Sequence, residues 1–198
     1  TGWYISQKIG ESEFMKPDTI KKVTIRAVPA AILVALSAYL LKGDVWTFWT
    51  WYLLAMVLGI VAMPLTGRLF GEFDDKGWMF SKVLAVVVTG FGTWFLVAVK
   101  LLKFTSLTCI GVTLACGAGC LLLGKVQHKK GIECLPVNHL DLVYWEEILF
   151  FVFFLLWTYL AGFHPAAYGT EKFMDYGFME AMMRSTTLPA VDLWYSEI

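Results

Sequence analysis

The chain has 198 residues and no formal net charge, with 58% hydrophobic and 16% charged side chains. Soluble globular domains hold about 45–50% apolar and about 25% charged residues, so an ordinary soluble domain is excluded and a polytopic membrane protein is indicated. The zero charge balance gives no electrostatic footprint for nucleic acid, and nine Trp with fifteen Phe suit membrane interfaces and packed bundles.

Residues 1–24 read as a charged segment ahead of the first apolar run. The chain opens on Thr1 rather than Met, so residues are expected to precede it. Met15 to Arg26 is charged and lacks a small-residue cleavage site, so no cleavable signal peptide is expected. Five apolar runs follow: Ile25 to Leu41, with Pro29 inside; Val45 to Met63, expected to stop at Pro64; Val83 to Val99; Phe104 to Gly124; and Val143 to Phe163. A crossing helix needs about 17–25 residues. All five runs meet that length, and no strand-like alternation competes with them. The expected fold class is therefore all-α, a transmembrane bundle of about five spans over residues 25–163.

Basic residues orient the bundle. Lys8, Lys16, Lys21, Lys22, Arg26, Arg68, Lys76, Lys82, Lys125, Lys129 and Lys130 fall on one side, eleven in all. Lys42, Lys100, Lys103, Lys172 and Arg184 fall on the other, five in all. The positive-inside rule then puts the N-terminus in the cytoplasm and residues 164–198 outside the cell membrane.

Candidate sites inside this frame are few. Gly111, Ala115 and Gly119 in the fourth run form a small-residue stripe suited to close helix packing, with Gly90 and Gly92 of the third run as facing residues. Cys116 and Cys120 share a helix face and read as small packing residues; Cys109 lies in the same run. Glu72, Asp74 and Asp75 sit in a short loop, where acids keep the chain solvated, and Asp75-Lys76-Gly77 is expected to turn it into the third helix. His128, Cys134 and His139 are too few and too widely spaced for a zinc site. Asp141, Glu146 and Glu147 open the fifth run and are expected to anchor it, by reaching headgroups or pairing with Lys129 or Lys130. A transporter usually places ionisable groups near the bilayer midplane, and none is expected there.

The last segment differs. Thr170 can cap a helix from Glu171 to about Arg184, with Glu171 in its first turn and Leu188-Pro189 beyond its end. Glu171, Asp175, Phe178 and Met182 share one face, and Lys172, Tyr176, Glu180 and Arg184 another, with Glu180 and Arg184 in the favourable i,i+4 order. Periodicity alone gives an amphipathic helix lying on the outer surface of the bundle.

Glu171, Lys172, Met174, Asp175 and Phe178, then Ala181, Arg184 and Ser185, then Pro189, Asp192 and Trp194 form a pattern. It resembles the signature of the YYY-domain family of polytopic membrane proteins (DUF2298). Upstream, Trp51, Tyr52, Pro64, Leu65, Thr66, Asp75, Gly77, Ser81 and Lys82 resemble that family's opening, so the likeness runs from about Trp49 to Ile198. The acid usual in the opening helix is absent, Ala190 and Leu193 stand at proline positions, and the namesake tyrosine run does not appear before Ile198. The expectation is the N-terminal part of a longer protein, or a chain completed by another subunit.

The family layout is similar to the glycosyltransferase C superfamily, which takes sugar from polyprenyl-phosphate donors and carries an acid in its first large outer loop. The resemblance implies Asp175, helped by Glu171, as the catalytic general base or as a metal-linked carboxylate, with Mg²⁺ or Mn²⁺ as the metals it would hold. It implies Lys172, Arg184, Asp192 and Trp194 as substrate-binding residues. The competing expectation is a non-catalytic membrane subunit whose outer helix docks a partner.

Overall fold

The computed structural model describes residues 17–163 and 172–190. All regular structure among them is helical. Five long helices form the bundle: α1 (Pro17–Leu41), α2 (Val45–Leu69), α3 (Trp78–Ala98), α4 (Ser106–Lys129) and α5 (Leu140–Ala161). A shorter α6 (Lys172–Arg184) follows, and 3-10 turns occur at Lys42–Asp44 and Val137–His139. The expected all-α fold is observed. Among the described residues, three segments are long and apolar enough to cross a membrane: Val23–Leu69, Trp78–Ala98 and Ser106–Lys129. The first contains both α1 and α2, which reverse at the Lys42–Asp44 turn.

One boundary is corrected. Pro64 does not stop the second helix, which runs on to Leu69 with Pro64 inside it. A proline removes one backbone bond, but apolar bundles tolerate this where neighbours re-satisfy the backbone. Here the carbonyl that loses its helical donor is that of Ile60, and α4 closes on the proline ring, with Gly124 placed so that a Cβ there would meet Pro64 Cγ at 3.0 Å.

Side-chain pairing fixes the helix directions. Trp49 Nε1 donates to Ser37 Oγ at 3.3 Å, across the antiparallel α1–α2 pair. Arg26 of α1 pairs with Asp141 at the start of α5, and Tyr144 donates to the Arg26 carbonyl, so α5 starts level with the first half of α1. One end of the bundle therefore gathers the start of α1, the α2–α3 turn and the α4–α5 loop. The other gathers the Lys42–Asp44 turn, the α3–α4 loop and the end of α5. Phe104 N donates to Thr186 O at 2.8 Å, which ties the chain after α6 to this second end.

The core is aromatic and thin. Phe48 and Tyr52 of α2 meet Phe151 and Leu155 of α5, with Phe151 edge-on to Phe48 at 5.4 Å and to Tyr52 at 5.0 Å. Edge-to-face pairs add about 0.5–1.5 kcal/mol beyond burial. Most other large apolar side chains are exposed on the outside of the bundle, including Trp46, Leu107, Leu114 and Trp157. On membrane helices these are the lipid-facing surfaces.

The small-residue stripe also needs correction. Gly111, Ala115 and Gly119 are exposed, and nothing lies near a Cβ built at Gly111 or Gly119. The face of α4 that packs is the next one round, where Cβ atoms built at Gly117 and Gly124 would meet Val61 at 3.3 Å and Pro64 at 3.0 Å. Gly92 does face α4, but at Val112 and Cys116 rather than at the stripe. Contact with α2 decided which small residues were used, and that contact was not legible from spacing.

At the first end, the expected Asp75-Lys76-Gly77 turn forms. Asp75 Oδ1 accepts from Gly77 N at 3.1 Å, Asp75 O accepts from Trp78 N at 3.1 Å, and Gly77 takes φ +76°. The α4–α5 loop folds back on α2 beside this turn. A Cβ at Gly67 would lie 2.2 Å from Cys134 O, so only glycine lets the loop backbone approach. The same burial pushes the Cys134 thiol up, against the opposing pull of Arg68 and Lys76, and its Sγ donates to Gln127 Oε1 at 2.8 Å. Gly67→Ala is expected to destabilise the fold by about 1–3 kcal/mol through overpacking. Thermal unfolding in detergent checks this, with Gly111→Ala, in open space, expected to melt like the wild type.

Candidate functional site

The terminal helix spans Lys172–Arg184, close to its expected bounds, and none of its residues is buried. Thr170, Glu171, Asp192 and Trp194 lie outside the described residues. Asp175 falls in the first turn and is exposed, where the helix dipole favours a negative charge. Lys172 lies one turn before it. Arg184 is nine residues on, about two and a half turns, which puts it on the opposite face. It pairs there with Glu180 at 2.8 Å, the i,i+4 contact expected from sequence. The structure thus brings Lys172 and Asp175 together and holds Arg184 apart. Among the described residues α6 packs against no other helix. Its Phe173, Met174, Phe178, Met179, Met182 and Met183 are exposed. Asp175 is the one described carboxylate of the expected pair, so it supplies a single ligand toward a divalent cation.

The most constrained polar cluster lies elsewhere, inside the first end of the bundle. Glu147 sits near the start of α5 and receives three donors. Lys82 Nζ donates to its Oε2 at 2.6 Å, Trp78 Nε1 to the same oxygen at 2.9 Å, and Tyr52 OH to Oε1 at 2.7 Å. The side chains of Lys82 and Glu147 are only 4% and 14% exposed. The Lys82 ammonium also stands 4.5 Å from the Trp78 ring centroid and 4.6 Å from that of Phe150. A cation desolvated between two rings gains from their faces.

Sequence reasoning missed this cluster. Lys82 counts as a loop cation on sequence, yet it lies inside α3 and is buried. Glu147 pairs with Lys82, not with Lys129, Lys130 or a headgroup. Asp141 does stay at the surface, but its partner is Arg26. Glu146 keeps its Oε2 buried, with no hydrogen-bond partner among the described residues. The available signal was two opposite charges within apolar helices, each a turn or two from the same end. Trp78 four residues before Lys82 and Phe150 three after Glu147 supply the rings.

Of the remaining candidates, His139 Nε2 and Asp74 Oδ1 stand 3.9 Å apart, both exposed. In the acidic loop Asp75 is buried in its turn, while Glu72 and Asp74 are exposed. Among the described residues no three His, Cys, Asp or Glu side chains gather as a metal site.

The Glu147 cluster predicts a measurable coupling. Removing either partner strands the other as a buried charge, at about 3–5 kcal/mol. Lys82→Met and Glu147→Gln are each expected to lower thermal stability strongly. The double variant Lys82→Met with Glu147→Gln is expected to recover part of that loss, since it strands no charge and the Gln oxygen still accepts from the Tyr52 or Trp78 donor. A double variant as unstable as the sum of the singles would contradict the pairing.

The family described as uncharacterized membrane protein (DUF2298) matches residues 87–197, more than half of the chain. The matched region holds most of α3 and all of α4, α5 and α6, including Glu146, Glu147, Lys172, Asp175 and Arg184. The upstream likeness around Trp51 to Lys82 lies outside it. Comparison with curated proteins and with solved structures finds no match. The apolar helices and the matched family agree: the chain is an integral membrane protein and belongs to the DUF2298 membrane protein family.

Proposed function

We propose that this chain is the membrane part of a glycosyltransferase-like protein that moves sugar from a polyprenyl-phosphate donor at the outer face of the plasma membrane. In this reading the bundle crosses the membrane five times with its N-terminus in the cytoplasm. Residues 1–24 form a cytoplasmic segment, 25–163 the spanning region, and 164–198 the outer loop and helix. The observation that carries it is the position of Asp175. It is an exposed carboxylate in the first turn of a helix that follows α5, on a segment tied to the bundle end away from the basic loops.

The chemistry asks for a base. Asp175 would take the proton from an acceptor hydroxyl as its oxygen bonds the anomeric carbon and the bond to the lipid phosphate breaks. Glu171 would assist. Lys172, one turn from Asp175, would meet the departing phosphate as a point charge. Arg184 lies on the far face and would reach only a substrate that wraps around α6, with Asp192 and Trp194 bordering the sugar. Mg²⁺ or Mn²⁺, where bound, would supply further charge neutralisation at the phosphate. Asp175→Asn in the full-length protein is expected to cut sugar transfer by about 10²–10⁴-fold, measured with a labelled lipid-linked donor. Undiminished transfer would sink the assignment.

A second reading has its own observation. α6 packs on no described helix and exposes a run of Phe and Met side chains, a surface suited to docking another membrane subunit. In that case a stoichiometric partner co-purifies, and Phe178→Asp with Met182→Asp releases it. A lone chain that transfers sugar argues for the enzyme instead.

A further inference from the structure

We infer that the Lys42–Asp44 turn and the crevice between α2 and α5 form a slot for one lipid with a phosphate-ester headgroup. Two cavities adjoin at this end of the bundle. The first, about 470 Å³, is lined by Tyr39, Lys42, Asp44, Thr158 and Tyr159, with apolar neighbours. The second, about 430 Å³, is lined by Phe48, Trp51, Ala55 and Phe154 below Asp44, Thr47 and Thr158. Asp44 and Thr158 belong to both, so the mouth opens directly into the crevice.

The two parts differ in chemistry as the two parts of an amphiphile do. The mouth offers an ammonium, a carboxylate and two phenols. The crevice is apolar, and it reaches Ala55, about 15 Å along α2 from Val45, roughly halfway through a hydrocarbon core about 30 Å thick. The small side chain of Ala55 leaves the gap that Trp51 and Phe154 flank. A detached polar ligand would leave this crevice unused, and a plain hydrocarbon would leave the mouth unused.

Charge narrows the headgroup. Lys42 and Asp44 sit two residues apart in one tight turn, with Lys42 at φ +48°, and neither has an ion-pair partner among the described residues. A bare phosphate would meet Asp44, and a bare cation would meet Lys42. A phosphate ester whose distal group donates hydrogen bonds satisfies both: phosphate on Lys42, and an ammonium or sugar hydroxyl on Asp44. Two lipids have this chemistry, phosphatidylethanolamine from the bilayer and a glycosyl polyprenyl phosphate. The site stands apart from Asp175; only its identification with a sugar donor rests on the proposed transfer activity.

Native mass spectrometry of the full chain in detergent tests it, with phosphatidylethanolamine, a glucosyl polyprenyl phosphate and diacylglycerol as probes. At least one phosphate lipid is expected to be retained and diacylglycerol lost. Lys42→Gln, at an exposed position, is expected to weaken retention about tenfold, and Ala55→Phe to abolish it by filling the crevice. Preference for phosphatidylethanolamine makes the occupant a bilayer lipid, and preference for the glucosyl lipid makes it the donor; both support the slot. Diacylglycerol held as tightly as the phosphate lipids, or wild-type retention in both variants, overturns it. Asp175→Asn is expected to leave retention unchanged, so failure of the slot and failure of the transfer reading are read separately.

Discussion

The bundle depends on one buried charge being neutralised three ways. Glu147 enters an apolar helix, where an unpaired carboxylate costs several kcal/mol. Its three donors come from two other helices: Tyr52 on α2, and Trp78 with Lys82 on α3. That condition fixes the rotation and height of α2, α3 and α5 relative to one another at this end. The Asp75–Gly77 turn matters for the same reason, because it starts α3 where Trp78 and Lys82 can reach α5. Apolar packing alone is a weak guide here, since lipid tails are as apolar as the helices and no hydrophobic drive separates them.

How much of this could be read from sequence follows from what each feature depends on. The helices were legible because each run of apolar residues is a local property of crossing length. The turn at Asp75–Gly77 was legible because Asx chemistry and a left-handed glycine act over three residues. The Glu180–Arg184 pair was legible because helix geometry sets it. Partner choice was not. Lys129 and Lys130 are nearer to Glu147 in sequence than Lys82, but α3 lies beside α5 and carries Lys82 to it. The stripe of Gly111, Ala115 and Gly119 failed likewise: its spacing is right for packing, but α4 turns its neighbouring face to α2. Pro64 failed for a third reason, because a proline ends a helix in water more readily than in a bundle that can close around it.

The functional candidates divide between the two ends. The Glu147 carboxylate is mostly buried and takes three donors, one of them the Lys82 ammonium, which suits a structural keystone. Asp175 on α6 is the reverse: exposed and at a helix start, on a helix that packs on no other described helix. Position on a peripheral helix is costly for catalysis, which needs reacting groups held within a fraction of an ångström. An active α6 must therefore be seated by something beyond the described bundle, whether a bilayer surface, a substrate or another chain.

Seating by a bilayer surface has a physical basis in this structure. The exposed Phe and Met side chains of α6 are the groups that an interfacial helix buries at the headgroup boundary. The Lys42–Asp44 mouth opens at the same end of the bundle, where a lipid headgroup held by its crevice-bound tail would sit. If α6 lies in that plane, its acidic first turn shares a two-dimensional layer with the headgroup rather than a three-dimensional volume. Confinement to a layer raises the local concentration of one group around the other without any direct packing between α6 and the bundle. A tethered, surface-bound helix and a lipid slot at the same level are thus compatible with chemistry between them, even though α6 packs on no described helix.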